Sequence, residues 1–289
     1  MNTFKVLLIS SIFIISLSSC ESSKTNNKEE KQSATPKEEP HRAQLKAGGE
    51  PIEKGDLKLY PAEIAKTFPD AELHLSSPSE DEKVNAGKVN FKFEVKNYQL
   101  REQTEGAEER HCANSADGQH IHFILNNGPY QAKYDPQFEA ELVEGNNVVL
   151  AFLSRSYHEG IKNGKAYVLK NFPIGTSSDF DYDAQHLFFS RPKGVYSGED
   201  AERILVDFYL INSELSTEGN KVELTIDSEE FILDSWQPYF VEGLSKGEHQ
   251  FRLRLIDQNG NLVPGPFNDS GVRTIEVGGE KKGALEPLF

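Results

Sequence analysis

Two stretches of this chain, each about 100 residues long, share one order of apolar runs, turns and prolines, and this internal repeat limits the fold more than any other feature. Asp70 to Pro78 aligns with Asp183 to Pro192, and Val89 to Asn97 with Ile204 to Asn212. Gly118 to Asn126 aligns with Gly219 to Asp227. Glu144-Gly145, followed by Val149, Ala151 and Leu153, aligns with Lys246-Gly247, followed by Phe251, Leu253 and Leu255. Within each copy the apolar period is two. Val89, Phe91, Phe93 and Val95 alternate with Asn90, Lys92, Glu94 and Lys96, which is the pattern of a strand with one buried face.

Turn signals such as Asn127-Gly128-Pro129, Asn259-Gly260-Asn261 and Pro264-Gly265-Pro266 separate the runs. Short alternating strands at domain-sized spacing predict an all-β chain of two tandem sandwiches, apart from a short amphipathic stretch at 61–67. Without a cysteine pair in either copy, the sandwiches are disulfide-free and resemble immunoglobulin or fibronectin type III domains. The expected boundaries are 59–175 for the first sandwich, with an inserted loop at 101–117, and 176–280 for the second, then a tail at 281–289. The insertion follows from the repeat itself, because Leu100 to Gly118 in the first copy answers to the much shorter Leu215 to Gly219 in the second.

The N-terminus carries an address. Lys5 precedes an uncharged run, Val6 to Leu17, too short to cross the ~30 Å hydrocarbon core as a helix. The run ends in Leu17-Ser18-Ser19-Cys20, which resembles the lipobox of bacterial lipoproteins. The resemblance implies a signal peptide at 1–19 and acylation of Cys20, with enough buried methylene for a stable anchor. It also implies a place in the cell envelope. Glu21, where aspartate would signal inner-membrane retention, leans towards the outer membrane. Residues 20–58 are rich in Lys, Glu, Ser, Asn and Pro, and read as the lipidated cysteine followed by a disordered tether. Taken together, Leu59 to Val277 resembles the double-sandwich lipoproteins of diderm bacteria.

A formal net charge of −15 opposes binding to nucleic acid and to anionic lipid surfaces. Of the two cysteines, only Cys112 remains once Cys20 is acylated, so no disulfide within the chain is expected. No Gly-x-Ser-x-Gly elbow, Walker loop, dinucleotide fingerprint or His-Glu-x-x-His helix signals catalysis, and no resident cofactor is implied beyond a candidate Cu or Zn ion.

The repeat serves as an internal control for site residues. Ile121, Phe123 and Leu125 share the phase of Val222, Leu224 and Ile226, so His120 and His122 stand together on the opposite strand face, ~7 Å apart. The second copy has Lys221 and Glu223 there, so the histidines are additions to the shared scaffold. Two imidazoles on one face can supply two ligands to Cu or Zn, with a third from His111 or Cys112 of the insertion or from His158. Trp236 and Tyr239 form an aromatic cluster suited to stacking on sugars. Asp179, Asp181 and Asp183 alternate and could offer oxygens to Ca²⁺. The leading expectation is a non-enzymatic binding module, anchored to the membrane by its N-terminal lipid, whose partner is an envelope protein, peptide or glycan. Metal binding through the His-x-His strand is the alternative, and a glycan-binding or enzyme-accessory module is the third.

Overall fold

The computed structural model describes residues 44–45, 50–62, 67–79 and 82–279. The signal segment, Cys20 and its lipobox, most of the tether and the tail at 281–289 lie outside these, as does most of the stretch at 61–67. Among the described residues the only helical elements are short 3₁₀ turns.

Three short strands come first: β1 (Gln44–Leu45), β2 (Ile52–Lys54) and β3 (Leu57–Pro61). The first repeat forms β4 (Glu72–Ser77), β5 (Gly87–Lys96), β6 (His120–Leu125), β7 (Gln131–Lys133), β8 (Gln137–Leu142), β9 (Gly145–Ser154) and β10 (Tyr167–Ile174). The second forms β11 (His186–Arg191), β12 (Gly194–Tyr196), β13 (Ile204–Ile211), β14 (Lys221–Ile226), β15 (Glu229–Leu233), β16 (Tyr239–Glu242), β17 (Gly247–Ile256) and β18 (Arg273–Val277).

In the first sandwich the sheet β4-β5-β8 faces β10-β9-β6-β7. In the second, β11-β13-β16 and β15-β14-β17-β18 repeat that order. This is the strand order of a fibronectin type III-like sandwich, built twice without a disulfide. The repeat extends to backbone detail. His122 pairs with Phe152 as Glu223 pairs with Arg254, and both first strands carry a register shift before their proline, at Leu75/Ser77 and Phe189/Arg191. Asn97 and Asn212, matched in sequence, both adopt the left-handed region, at φ 54° and 52°. Asparagine tolerates this conformation, which bulky residues avoid. Asn126 and Asn127 also have positive φ, and Gly128 N–H donates to the Leu125 carbonyl, so β6 and β7 are joined by a type I′ turn.

The alternation predicted for each core holds. Phe91, Phe93, Ile121, Phe123, Val149, Ala151 and Leu153 fill the first core, and Val206, Phe208, Val222, Leu224, Phe251, Leu253 and Leu255 fill the second.

The start of the fold differs from expectation. Residues 52–58, read as tether, contribute β2 and part of β3, and β3 pairs antiparallel with β16 of the second sandwich, Leu59 opposite Val241. The physical reason is a free edge. The outer side of β16 offers unpaired amides and carbonyls, and a strand laid on it satisfies them while burying Leu59 completely in the second core. The run Leu57, Leu59 carries a period-two signal too brief to stand out among its charged neighbours. Leu59→Ala is expected to destabilise the second sandwich by about 2–5 kcal/mol. Urea unfolding followed by Trp236, the chain's one tryptophan, measures this; a change below about 1 kcal/mol would mean that β3 is not integral to the core.

Candidate metal centre

Because β6 alternates, Ile121 and Phe123 point into the first core while His120, His122 and Ile124 point outwards. That outward face is not wet. Ile124, Val148, Leu150 and Phe152 pack against Phe188, Tyr209 and Ile211 from the outer face of β11 and β13. His120 and His122 are therefore fully buried, at the seam between the two sandwiches.

His158 arrives from the detour after β9. Arg155 N–H donates to the Glu159 carbonyl and His158 N–H to the Arg155 carbonyl, each at 2.9 Å, while Ser154 and Gly160 form an isolated bridge. His158 sits at φ 72°, a left-handed conformation that non-glycine residues seldom adopt outside functional or tightly held turns. Several bonds hold it there. Arg155 and Glu159 form a buried ion pair at 3.0 Å, and Tyr157 Oη donates to Glu159. From the second sandwich, buried Asp207 accepts Gly160 N–H at 3.0 Å and pairs with Lys162 at 2.5 Å. A Cβ on Gly160 would lie 2.8 Å from the Phe152 ring, so the turn requires glycine.

One nitrogen from each histidine converges on a common point, all within 4.8 Å of one another. His120 Nε2 lies 3.0 Å from His122 Nε2 and 3.1 Å from His158 Nδ1. Bonds of about 2.0–2.1 Å to a tetrahedral Zn²⁺ put ligand nitrogens about 3.3 Å apart. This is close to the two separations made by His120, while the His122 and His158 nitrogens lie within 4.8 Å of each other. The far side of two rings is fixed. His120 Nδ1 donates to the Gly118 carbonyl at 2.8 Å, and since a carbonyl only accepts, the neutral ring presents its Nε2 lone pair to the cluster. His122 Nδ1 meets Ser190 Oγ at 3.0 Å, and Tyr130 stacks on the same ring at 3.7 Å. Such outer partners orient ligating histidines.

Burial pushes His120 down to about 4, partly opposed by its bond to Gly118. Burial is also the main reason His122 and His158 fall well below the usual histidine range, with the other imidazoles, Arg191 and Lys193 acting in the same direction. The three rings are thus held neutral, the form that ligates metal.

The other expected ligands lie elsewhere. His111 is exposed, and Cys112 is buried with Ala107, Tyr157, Leu205 and Phe240, where burial pushes its thiol up to about 11. Neither joins the histidine cluster. The insertion folds against the His158 turn and does not reach the donor atoms: Ser115 N–H donates to the Ser156 carbonyl, and Thr104 and Ser156 exchange two hydrogen bonds at 3.0 and 3.1 Å. Tyr239 also departs from expectation. It alternates into the second core, fully buried, with Oη donating to the Ser235 carbonyl, and has no face for a sugar. Trp236 is half-buried, its Nε1 donating to the Phe208 carbonyl, beside a cleft of about 770 Å³ shared with Tyr167 and Tyr209. Asp181 caps the backbone at Asp183 and Ala184, and the three aspartates form no donor cluster among the described residues.

Ser190, Asp207 and Tyr130 were not singled out from sequence. Asp207 had a signal, a lone charge inside the apolar run Ile204 to Ile211. Asp207→Ala strands the Lys162 ammonium and frees Gly160, and is expected to cost about 3–5 kcal/mol. Urea unfolding reads the loss, and unchanged stability would show that the pair does not hold the turn.

No family model matches the chain, and no curated protein matches it. Among solved structures, similarity extends to fibronectin(III)-like modules of Clostridium thermocellum CbhA (12% identity, 71% of this chain and 92% of that one, TM-score 0.23). It extends also to the central fibronectin-III array of RIM-binding protein (9%, 78% and 66%, TM-score 0.25). A third is SGBP-B of the Bacteroides ovatus mixed-linkage glucan utilization locus, solved with a heptasaccharide (10%, 71% and 70%, TM-score 0.21). At these scores the likenesses carry no functional argument, and the fold assignment rests on the strand order of the chain itself.

Proposed function

We propose that this chain is a lipid-anchored envelope protein that binds one zinc or copper ion between its two sandwiches, through His120 Nε2, His122 Nε2 and His158 Nδ1. The observation that carries this reading is the convergence of three imidazole nitrogens from two separate segments within 4.8 Å. A buried histidine network without metal is the competing account. In that account one imidazole N–H meets the His120 Nε2 lone pair. Ser154 Oγ, 3.2 Å from His122 Nε2, or Tyr130 Oη, 3.4 Å from His158 Nδ1, meets the remaining nitrogen. A cation between the rings would instead take all three lone pairs at once. The second repeat supports the same reading, because its equivalent positions carry Lys221 and Glu223, the latter paired with Arg254 at 2.7 Å. The sandwich does not itself require imidazoles there.

Metal content and affinity of the soluble chain from Glu21 onwards, beside His120→Ala/His122→Ala, test the site. About one equivalent of Zn or Cu is expected, lost in the double variant; metal no higher than in the variant would overturn the proposal. In the same assay Ser190→Ala is expected to weaken binding about 10–100-fold by releasing the His122 ring.

The anchor is supported by Leu17-Ser18-Ser19-Cys20, and an outer-membrane address by Glu21. Cells expressing the full chain are expected to incorporate labelled palmitate into it and to lose that label with Cys20→Ala; label retained by the variant would refute lipidation at Cys20.

A further inference from the structure

A second place along the seam concentrates positive charge. A cavity of about 400 Å³ lies between the turn joining β6 to β7 and the segments 192–194 and 270–274 of the second sandwich. Lys193 and Arg273 line it, with Asn127 and Thr274, and no carboxylate does. Four other cavities among the described residues each have an acid in the wall: Glu82 and Glu144 in one beside Phe172, Glu214 in the one beside Trp236, Glu159 in one beside Phe68, and Glu109 in one beside Arg203.

The contrast holds for individual cations. Several cations elsewhere in the fold meet a carboxylate, as in Arg155 with Glu159, Lys162 with Asp207 and Arg254 with Glu223, although buried Lys221 meets only the Gly219 carbonyl among the described residues. Arg191, Lys193 and Arg273 form no such ion pair among the described residues. They are held by neutral groups. Lys193 Nζ donates to the Tyr130 carbonyl at 2.7 Å, and Arg273 donates to the carbonyls of Phe189 and Asn127 at 2.7 and 2.5 Å. Arg191, 5% exposed, donates to Tyr196 Oη, while its buried Nε has no partner. Burial pushes Arg273 down to about 10 and lowers Lys193, with Arg191 and Arg273 adding like-charge repulsion at Lys193. Asp200 acts on Arg191 as an opposite charge, but no carboxylate lines the cavity beside Lys193 and Arg273, and holding these like charges together is unfavourable unless a negative charge joins them.

We propose that this cavity binds a small oxyanion, with Lys193 and Arg273 as its charged contacts and Arg191 as a fixed positive charge behind them. Lys193 reaches solvent and keeps ammonium protons beyond the one given to Tyr130, so it meets the ligand first. A phosphate, a sulfate and a carboxylate share the required chemistry. The site contains none of the three histidines, so it stands or falls separately from the metal centre.

Calorimetric titration of the soluble chain with inorganic phosphate, sulfate and acetate, against chloride at equal ionic strength, tests it. Saturable one-site binding of at least one oxyanion is expected, weakened tenfold or more in Lys193→Gln and retained in His120→Ala/His122→Ala. Lys88→Gln removes the same charge from an exposed strand and is expected to bind as the unmodified chain does. Absence of saturable binding by all three anions would overturn the proposal. So would binding unchanged in Lys193→Gln, or weakened equally in Lys88→Gln.

Discussion

The structure depends on one covered surface, the outer face of the sheet β10-β9-β6-β7 packed against the outer face of β11 and β13. Ile124, Val148, Leu150 and Phe152 on one side meet Phe188, Tyr209 and Ile211 on the other. Burying a side chain of this size fully is worth about 1.5–3 kcal/mol, so a patch of this extent would be costly to expose in water. The same contact removes solvent from His120 and His122, brings Ser190 to the back of His122, and lets Asp207 fasten the turn that presents His158.

The inserted loop belongs to the same construction. It supplies hydrogen bonds to Ser156 and a buried Cys112 beside Tyr157, and so supports from outside the turn that Asp207 ties from within. A turn that holds a histidine at positive φ needs such bracing on both sides, because the conformation itself is unfavourable. The insertion and the second sandwich therefore both act on His158 without adding a donor atom to the cluster.

Charge is distributed along the seam with two different rules. Near the His158 turn, buried cations meet carboxylates, which locks the loop. Near the β6–β7 turn, Lys193 and Arg273 meet carbonyls and ring faces, with no carboxylate in contact with either among the described residues. One arrangement suits a rigid support and the other a place for an incoming anion.

Much of the fold was legible in the sequence, because strand alternation and turn chemistry are local. The phase of Ile121 and Phe123 determined which face His120 and His122 occupy, and the repeat determined that two sandwiches of one design stand in tandem. Local patterns could not say whether that face meets water or a second domain. Ser190, which touches His122, is 68 residues away in the chain, and Leu59 joins a sheet whose other strands come after the entire first repeat. Nor could spacing choose among His111, Cys112 and His158 as a third donor, since the choice depends on how an insertion and a turn fold over one strand end. The sequence by itself determined the paired strands of the two repeats and which of their residues face inward, though not that β2 and β3 would join the second sandwich. Only the tertiary structure decided that the remaining face is buried and that His158 completes the cluster, because both depend on contacts between segments whose separation along the chain carries no periodic signal.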